Sequence, residues 1–521
     1  MPSIEFEPPS VRRVAVAVLG SILWGVSLCA AQGTPVAPSP DAHRPTMLAD
    51  QMAGVFAASV SQEPAEPAWI AERRACEGCP PRSVGRALFQ TTIINVFYEL
   101  ANLARGQVTA HITPKTWWAN MQQGWVWDLD DFAVNQIGHP YQGNNYFTSG
   151  RANGLSFYES AAVTAFGSGT WEFFGETNHA SLNDFINTTL GGIAIGEALY
   201  RTAWLVRDTR ATGRGRLWRE IGATVIDPIT GVNRFIRGDA TRVTDTPSDM
   251  VPSNLTSSGA LGVLWRGTEG NSFTATGQPF LEWDAIYGDP DHGRSRTPFD
   301  AFSLRLRLGG GSAISEARLH GRLLGQPLGG DKVQFAVVQS YDFQSNDAYA
   351  TGSQSFEGAF LFTQKLSSSA KVRLTAWGGV TVLGAIDSLP LGLEERPDEP
   401  EGGEGEGEGE GGGGQGVSEG PRYYDYGPGS SFGASARFSR NGRMFSELYY
   451  EGRHLYSLDG VRANHFLQRG RVDFVLPLRG AFGLGVTGEY FDRRTFYQDA
   501  ARTRVRYHYP QVRTYFIWSL S

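Results

Sequence analysis

Cysteine is scarce in this chain of 521 residues, which holds three: Cys29, Cys76 and Cys79. Cys76-Glu77-Gly78-Cys79-Pro80 lacks the His that follows a haem-attachment pair, and no second pair completes a zinc ribbon. In an oxidising compartment the two read as a local disulfide or as idle thiols. An excess of positive charge is also missing. The net charge is −7, which offers no basic surface to nucleic acid. Past the N-terminus no uninterrupted apolar run approaches about 20 residues, so a helical membrane span is not expected. His-Glu-x-x-His does not occur, which removes one hydrolase signature.

Glycine is abundant at 65 residues and aromatics reach 12%, against six Met. That balance suits an up-and-down barrel with aromatic girdles. Residues 1–31 read as a signal peptide: Arg12-Arg13, the apolar stretch Val14 to Leu28, then small residues before Gln32. Residues 32–82, rich in Pro, Ala and Ser, read as a periplasmic linker.

Helical periodicity fills 83–238. One helix is expected from Ser83 to Gly106 and a second from Thr113-Pro114 to Gly124. Pro140 opens another, Ser156 caps one to about Glu176, and Ser181 caps one to about Asp208. From 257 to 521 the period changes to two. Leu304, Leu306 and Leu308 alternate with Arg305 and Arg307; Ala317 and Leu319 alternate with Glu316, Arg318 and His320. Some twelve such segments predict an antiparallel transmembrane β-barrel with charges lining the lumen, so that the fold class is α+β. Long connections are expected after the first, fifth, seventh, ninth and eleventh segments and short ones after the fourth, sixth, eighth and tenth; those after the second and third break the alternation. Residues 387–421 hold a Glu-Gly run with nothing to bury, which reads as a disordered loop.

The segment Trp125 to Gly238 interleaves polar residues, glycines and aromatics. Asn135-Gln136-x-Gly138-His139-Pro140-Tyr141-x-Gly143, Arg151 with Ala152 and Gly154, Trp171-Glu172-x-x-Gly175-Glu176, Ser181-x-Asn183-Asp184, Gly191-Gly192-x-x-x-Gly196-Glu197 and Asp227-Pro228-x-x-Gly231-x-Asn233-Arg234 follow in order. Together they resemble the signature of bacterial proteins carrying domain of unknown function 3943. The resemblance implies an exported, outer-membrane-associated protein of Gram-negative bacteria, with a helical segment followed by a barrel. It implies no established activity, cofactor or catalytic residue.

The polar set admits two readings. His139, Glu172 and Asp184 are the catalytic candidates, since carboxylates with a His make a metal site or an acid/base pair. Glu172 and Glu176 stand one helical turn apart and are expected to face one point. Asn135, Gln136, Arg151, Glu176, Asn183, Glu197, Arg201, Asn233 and Arg234 read as a structural network, with Glu197 and Arg201 paired four residues apart and the remaining helix carboxylates meeting arginines of the barrel wall. No metal and no cofactor is assigned. The expected architecture is a barrel of the outer membrane with a helical plug or periplasmic cap, serving envelope structure or passage, with lipid as its partner. The alternatives are a barrel-embedded lipid- or glycolipid-modifying hydrolase and a soluble periplasmic β-rich binding protein.

Overall fold

The structure, a computed structural model, describes residues 80–519 apart from 129–131, 268–275, 291–292, 329–331, 347–348, 388–423, 461 and 499–503. The expected signal peptide, the linker up to residue 79 with Cys76 and Cys79, and the Glu-Gly loop lie outside the described residues.

Twelve antiparallel strands follow one another around a closed barrel: β1 (Leu255–Arg266), β2 (Gln278–Tyr287), β3 (Phe302–Gly309), β4 (Ile314–Pro327), β5 (Val333–Ser345), β6 (Ala350–Lys365), β7 (Ala370–Asp387), β8 (Tyr424–Arg440), β9 (Arg443–Tyr456), β10 (Ala463–Pro477), β11 (Phe482–Tyr497) and β12 (Val505–Ser519). Closure comes from β12 pairing with β1, from Ser258 opposite Ser519 to Arg266 opposite Gln511. No edge is left open. The alternation seen in the sequence sets the two faces. Arg307, Glu316, Arg318 and Asp342 point inward, while Leu281, Phe360, Leu448, Phe474 and Leu484 stand exposed on the outside. This is the inverse of a water-facing sheet and the pattern of an outer-membrane barrel.

The connections correct one expectation: the β5–β6 connection, 346–349, is short where a long one was expected. The β2–β3 connection, 288–301, breaks the alternation as expected, being long although it lies at the end with the short turns. Its length has a use, because it folds outward. Phe299 stacks on Phe157 at 5.7 Å between ring centroids and lies against Gly321 of β4, and it keeps a positive φ of 59° to do so. That backbone conformation is costly for a bulky residue, and the packing around the ring holds it.

The lumen is filled by its own wall. Glu316 of β4 accepts from Arg469 of β10 at 2.9 Å, and these strands stand opposite each other in the ring of twelve. Arg307 reaches both Glu282 and Glu316 at 2.6 Å. Arg318 of β4 pairs with Glu451 of β9, and Arg453 of β9 with Asp342 of β5. Towards the end with the short turns, Ala336, Val338, Ala359, Leu361 and Trp377 form an apolar layer. Towards the other end, Tyr349 stacks on Phe491 at 3.7 Å beside Ile386, Leu455 and Leu467. Between these layers lies a cavity of about 20 Å³, lined by Arg318, Asp342, Glu451, Arg453 and Arg469, room for about one water.

The helices are α1 (Val84–Ala104), α2 (Pro114–Gln123), α3 (His139–Ala152), α4 (Phe157–Phe174), α5 (Leu182–Ile186), α6 (Gly192–Val206), α7 (Gly213–Ile226) and α8 (Pro228–Arg237). π-helical turns lead into α3 (Val134–Gly138) and join α5 to α6 (Asn187–Gly191). Ser83, Thr113, Ser156 and Ser181 cap as their positions foretell, the Thr113 and Ser156 caps being reciprocal capping boxes. The helices α7 and α8 have no counterpart in the sequence reading.

The position of the helices is a correction: they neither plug the lumen nor cap it, but pack on the outer wall. Tyr341 and Phe343 alternate with Asp342, whose carboxylate crosses the lumen to Arg453, so their side chains point outward. There Tyr341 donates its hydroxyl proton to the Gln136 carbonyl at 2.7 Å, and Phe343 meets Phe132 at 5.9 Å. Ile137, Tyr146, Phe147, Phe157 and Ile193 form one core with outward-facing Phe302, Leu304, Leu306 and Leu319. The physical reason is plain. The lumen is polar and already occupied, whereas the outer face of β3–β5 offers apolar surface. Gly191 lets the layer close onto the wall, since a Cβ there would meet Pro140 at 2.8 Å and the Gln354 amide at 2.7 Å.

Candidate functional site

His139 opens α3 directly after the π-helical turn, and Pro140 beside it needs no N–H partner in the first turn. Glu172 lies in the last turns of α4. Asp184 lies in α5, held by Ser181, whose hydroxyl accepts from the Asp184 N–H at 3.2 Å. All three are buried, and one ligand atom from each lies within 4.8 Å of the others. Three candidates separated by 45 residues of sequence thus meet at one point. It lies close to the barrel rim at the start of β8, where Trp127 stacks on Tyr426 at 6.0 Å.

Each side chain of the trio is oriented. The Thr188 hydroxyl stands 3.3 Å from His139 Nδ1, leaving Nε2 towards Asp184 Oδ1 at 3.7 Å. The Ser181 N–H donates to Glu172 Oε2 at 2.8 Å. Asn183 donates through Nδ2 to Asp184 Oδ1 at 3.0 Å and accepts through Oδ1 from the Asp128 N–H at 2.9 Å. Burial, followed by the neighbouring charges of Asp184 and Glu176, pushes the Glu172 carboxyl well above the usual carboxylate range.

Glu176 does not join. The helix ends at Phe174, and past Gly175 the Glu176 carboxylate turns to accept from the Trp171 indole N–H at 2.9 Å. The helical alignment expected of Glu172 and Glu176 is therefore corrected, and Asp184 takes the place given to Glu176.

The network residues bind the layer together. Glu197 takes Arg201 at 2.8 Å, as its spacing foretells, and Arg151 at 2.9 Å. Arg201 goes on to the Thr297 hydroxyl at 2.8 Å and the Pro298 carbonyl at 3.1 Å, tying α6 to the β2–β3 connection. Asn135 and Gln136 donate to the Tyr424 and Tyr426 hydroxyls at 3.1 and 3.2 Å. Asn233 donates to Gln90 at 2.9 Å, and Arg234 pairs with Glu220 at 2.7 Å. The expected pairing of helix carboxylates with wall arginines is corrected, because those arginines point into the lumen and meet wall carboxylates. Sequence reasoning missed Glu220, which is fully buried between Arg216 at 2.9 Å and Arg234. The signal was available as an Arg216-Glu220 spacing of four.

The hydrolase alternative finds little geometry. Thr188, His139 and Asp184 stand in the order hydroxyl, imidazole, carboxylate. Yet 3.7 Å separates the last two, beyond hydrogen-bond reach, and Thr188 is 1% exposed.

Residues 124–229 match the family model DUF3943, a domain of unknown function. His139, Glu172 and Asp184 all fall inside that stretch. No curated protein matches the chain. Among solved structures it is similar to the toluene transporter TodX of Pseudomonas putida, at 7% identity over 52% of this chain and 90% of that one, with a TM-score of 0.20. It is similar also to the outer membrane protease OmpT from Escherichia coli, at 8% identity over 52% of this chain and 97% of that one, with a TM-score of 0.19, and to an OmpT loop-deletion mutant, an outer membrane protein of Vibrio cholerae, at 9% identity over 51% and 99%, with a TM-score of 0.20. Likeness at this level says nothing about activity.

Proposed function

We propose that this protein is a closed scaffold of the outer membrane, serving envelope structure and not passage. The observation that carries the reading is the ion pair between Glu316 and Arg469, which joins opposite strands across the middle of the lumen. A pore would need that space, and it is taken. The outer surface supports lipid as the partner. Beyond the helical layer the wall of β9–β12 exposes Leu448, Phe466, Phe474, Leu476, Leu484, Val486 and Phe516.

The helical layer continues that surface. Along α1, Phe89, Ile93, Val96, Phe97, Leu100 and Leu103 are exposed, while Thr91 faces inward and bonds the Ser149 hydroxyl at 2.7 Å. Trp218, Val225, Phe235 and Ile236 extend the exposed apolar surface over α7 and α8. Helices that turn apolar residues outward and polar ones inward suit acyl chains and not water. No helix of the described residues is long and apolar enough to cross a membrane; the layer rests on the barrel wall, with Glu197 and Glu220 each paired to arginines of the helices themselves.

Planar-bilayer recording with the purified full chain tests the reading. Wild type is expected to give no unitary conductance, while Glu316→Ala combined with Arg469→Ala opens a leak. Steady ohmic steps from wild type would overturn it.

A further inference from the structure

We propose that His139, Glu172 and Asp184 form a site for a divalent transition-metal cation, with one imidazole nitrogen and two carboxylates as ligands. The donor set is that of zinc, manganese or iron sites, in which water or a further group completes the shell. The ligand atoms already lie within 4.8 Å of one another, and small side-chain rotations bring them to the separation of at most about 4 Å that ligands about 2 Å from one ion have.

Charge makes the same point. The other fully buried helix glutamates, Glu197 and Glu220, each hold two arginines within 3 Å. Glu172 is also buried, but no arginine pairs with it among the described residues, and the largest charge effects on it come from Asp184, Glu176 and Asp128, all acidic. Buried negative charge gathered in this way calls for a cation. An independent feature lies one turn beyond Asp184 on the same helical face. Asn187 is 1% exposed, and its Nδ2 has no hydrogen-bond partner. A water or hydroxide on the bound ion would accept from that amide. The outer contacts follow the usual arrangement around metal ligands: Thr188 fixes His139 through Nδ1, Ser181 holds one Glu172 oxygen, and Asn183 steadies Asp184. The ion joins the π turn before α3, the end of α4 and the start of α5, locking the helical layer near the rim.

The test uses the full chain folded in detergent micelles, stripped with chelator and titrated with zinc or manganese chloride. Calorimetry is expected to show one equivalent bound by wild type. Cobalt(II) added to the stripped protein is expected to give visible d–d absorption. Glu172→Gln and Asp184→Asn should each weaken binding at least tenfold, while Glu197→Gln, outside the trio, leaves it unchanged. Heat-dependent gel mobility reports folding independently, so a variant that fails to fold is recognised and replaced by His139→Gln. No binding by folded wild type, or equal affinity in folded Glu172→Gln and wild type, overturns the proposal. It does not depend on the closed-lumen reading: a conducting wild type that binds one zinc sinks that reading and leaves the metal site standing.

Discussion

Replacing Glu316 with Gln keeps the shape of the side chain and removes one charge from the centre of the lumen. Glu316 is fully buried. It holds Arg307 at 2.6 Å and Arg469 at 2.9 Å. Removing one partner of a buried pair typically costs about 3–5 kcal/mol, whereas an exposed pair contributes about 0–1 kcal/mol. Both arginines keep a second carboxylate, Arg307 through Glu282 at 2.6 Å and Arg469 through Glu489 at 2.8 Å. The loss should therefore fall at the lower end of the buried range, at about 3 kcal/mol. Urea titration in micelles, followed by tryptophan fluorescence, measures it. A double-mutant cycle with Arg469→Met should return a coupling of at least about 1 kcal/mol. A total loss under about 1 kcal/mol would mean that water screens these groups, and the filled lumen would be refuted.

The outer face of the helices gives a second prediction. Ile93→Lys should cost about 2–4 kcal/mol of folding into bilayers if α1 meets acyl chains, and within about 0.5 kcal/mol if it meets water; folding yield in lipid vesicles distinguishes the two. Gly321→Ala drives a methyl group into the Phe299 ring and should cost about 1–3 kcal/mol by overpacking, read as a lower urea midpoint. Tyr341→Phe removes the hydrogen bond to the Gln136 carbonyl and should loosen the layer by about 1–3 kcal/mol, seen as faster amide exchange over residues 134–138. Burial pushes the Glu159 carboxyl up, but Arg82 and the Ser156 cap outweigh it and hold it below its ordinary value. Its stabilising effect is therefore present above the unfolded carboxyl pKa and lost as pH falls through the folded one. Glu159→Gln should remove that acid-side loss and cost about 1 kcal/mol near neutrality.

The barrel was legible because the alternation of Leu304, Leu306 and Leu308 with Arg305 and Arg307 is a local signal. Each strand declares its two faces, and the fold needs only to close. Helix starts were legible for the same reason, since Ser83, Thr113, Ser156 and Ser181 act within three residues of themselves. The position of the helices was not legible. An outward-facing Leu319 reads alike whether lipid or a helix covers it. The helix α7 escaped notice because its two faces, Arg216 with Glu220 buried and Leu217 with Trp218 exposed, invert the pattern of a water-soluble helix. Of the trio, the residue types were visible, but Glu176 was paired with Glu172 on the assumption that α4 continued past Phe174.

That inversion carries the argument furthest. A soluble helical domain docked on a barrel would present charge on its outer face. Here α1 buries Thr91 and exposes Phe89, Ile93 and Phe97, while Arg151, Glu197 and Arg201 are sealed beneath the outer helices. Paired charge inside and apolar surface outside is the same rule that the strands obey, with Glu316 and Arg469 inside and Leu484 outside. One rule governing both parts of the chain implies one solvent for both. The helical layer and the barrel wall are therefore expected to lie at the same depth, and amide exchange in nanodiscs should protect 84–104 as strongly as β10. Free exchange along α1 with protection in β10 would separate the two parts and confine the lipid-facing surface to the strands.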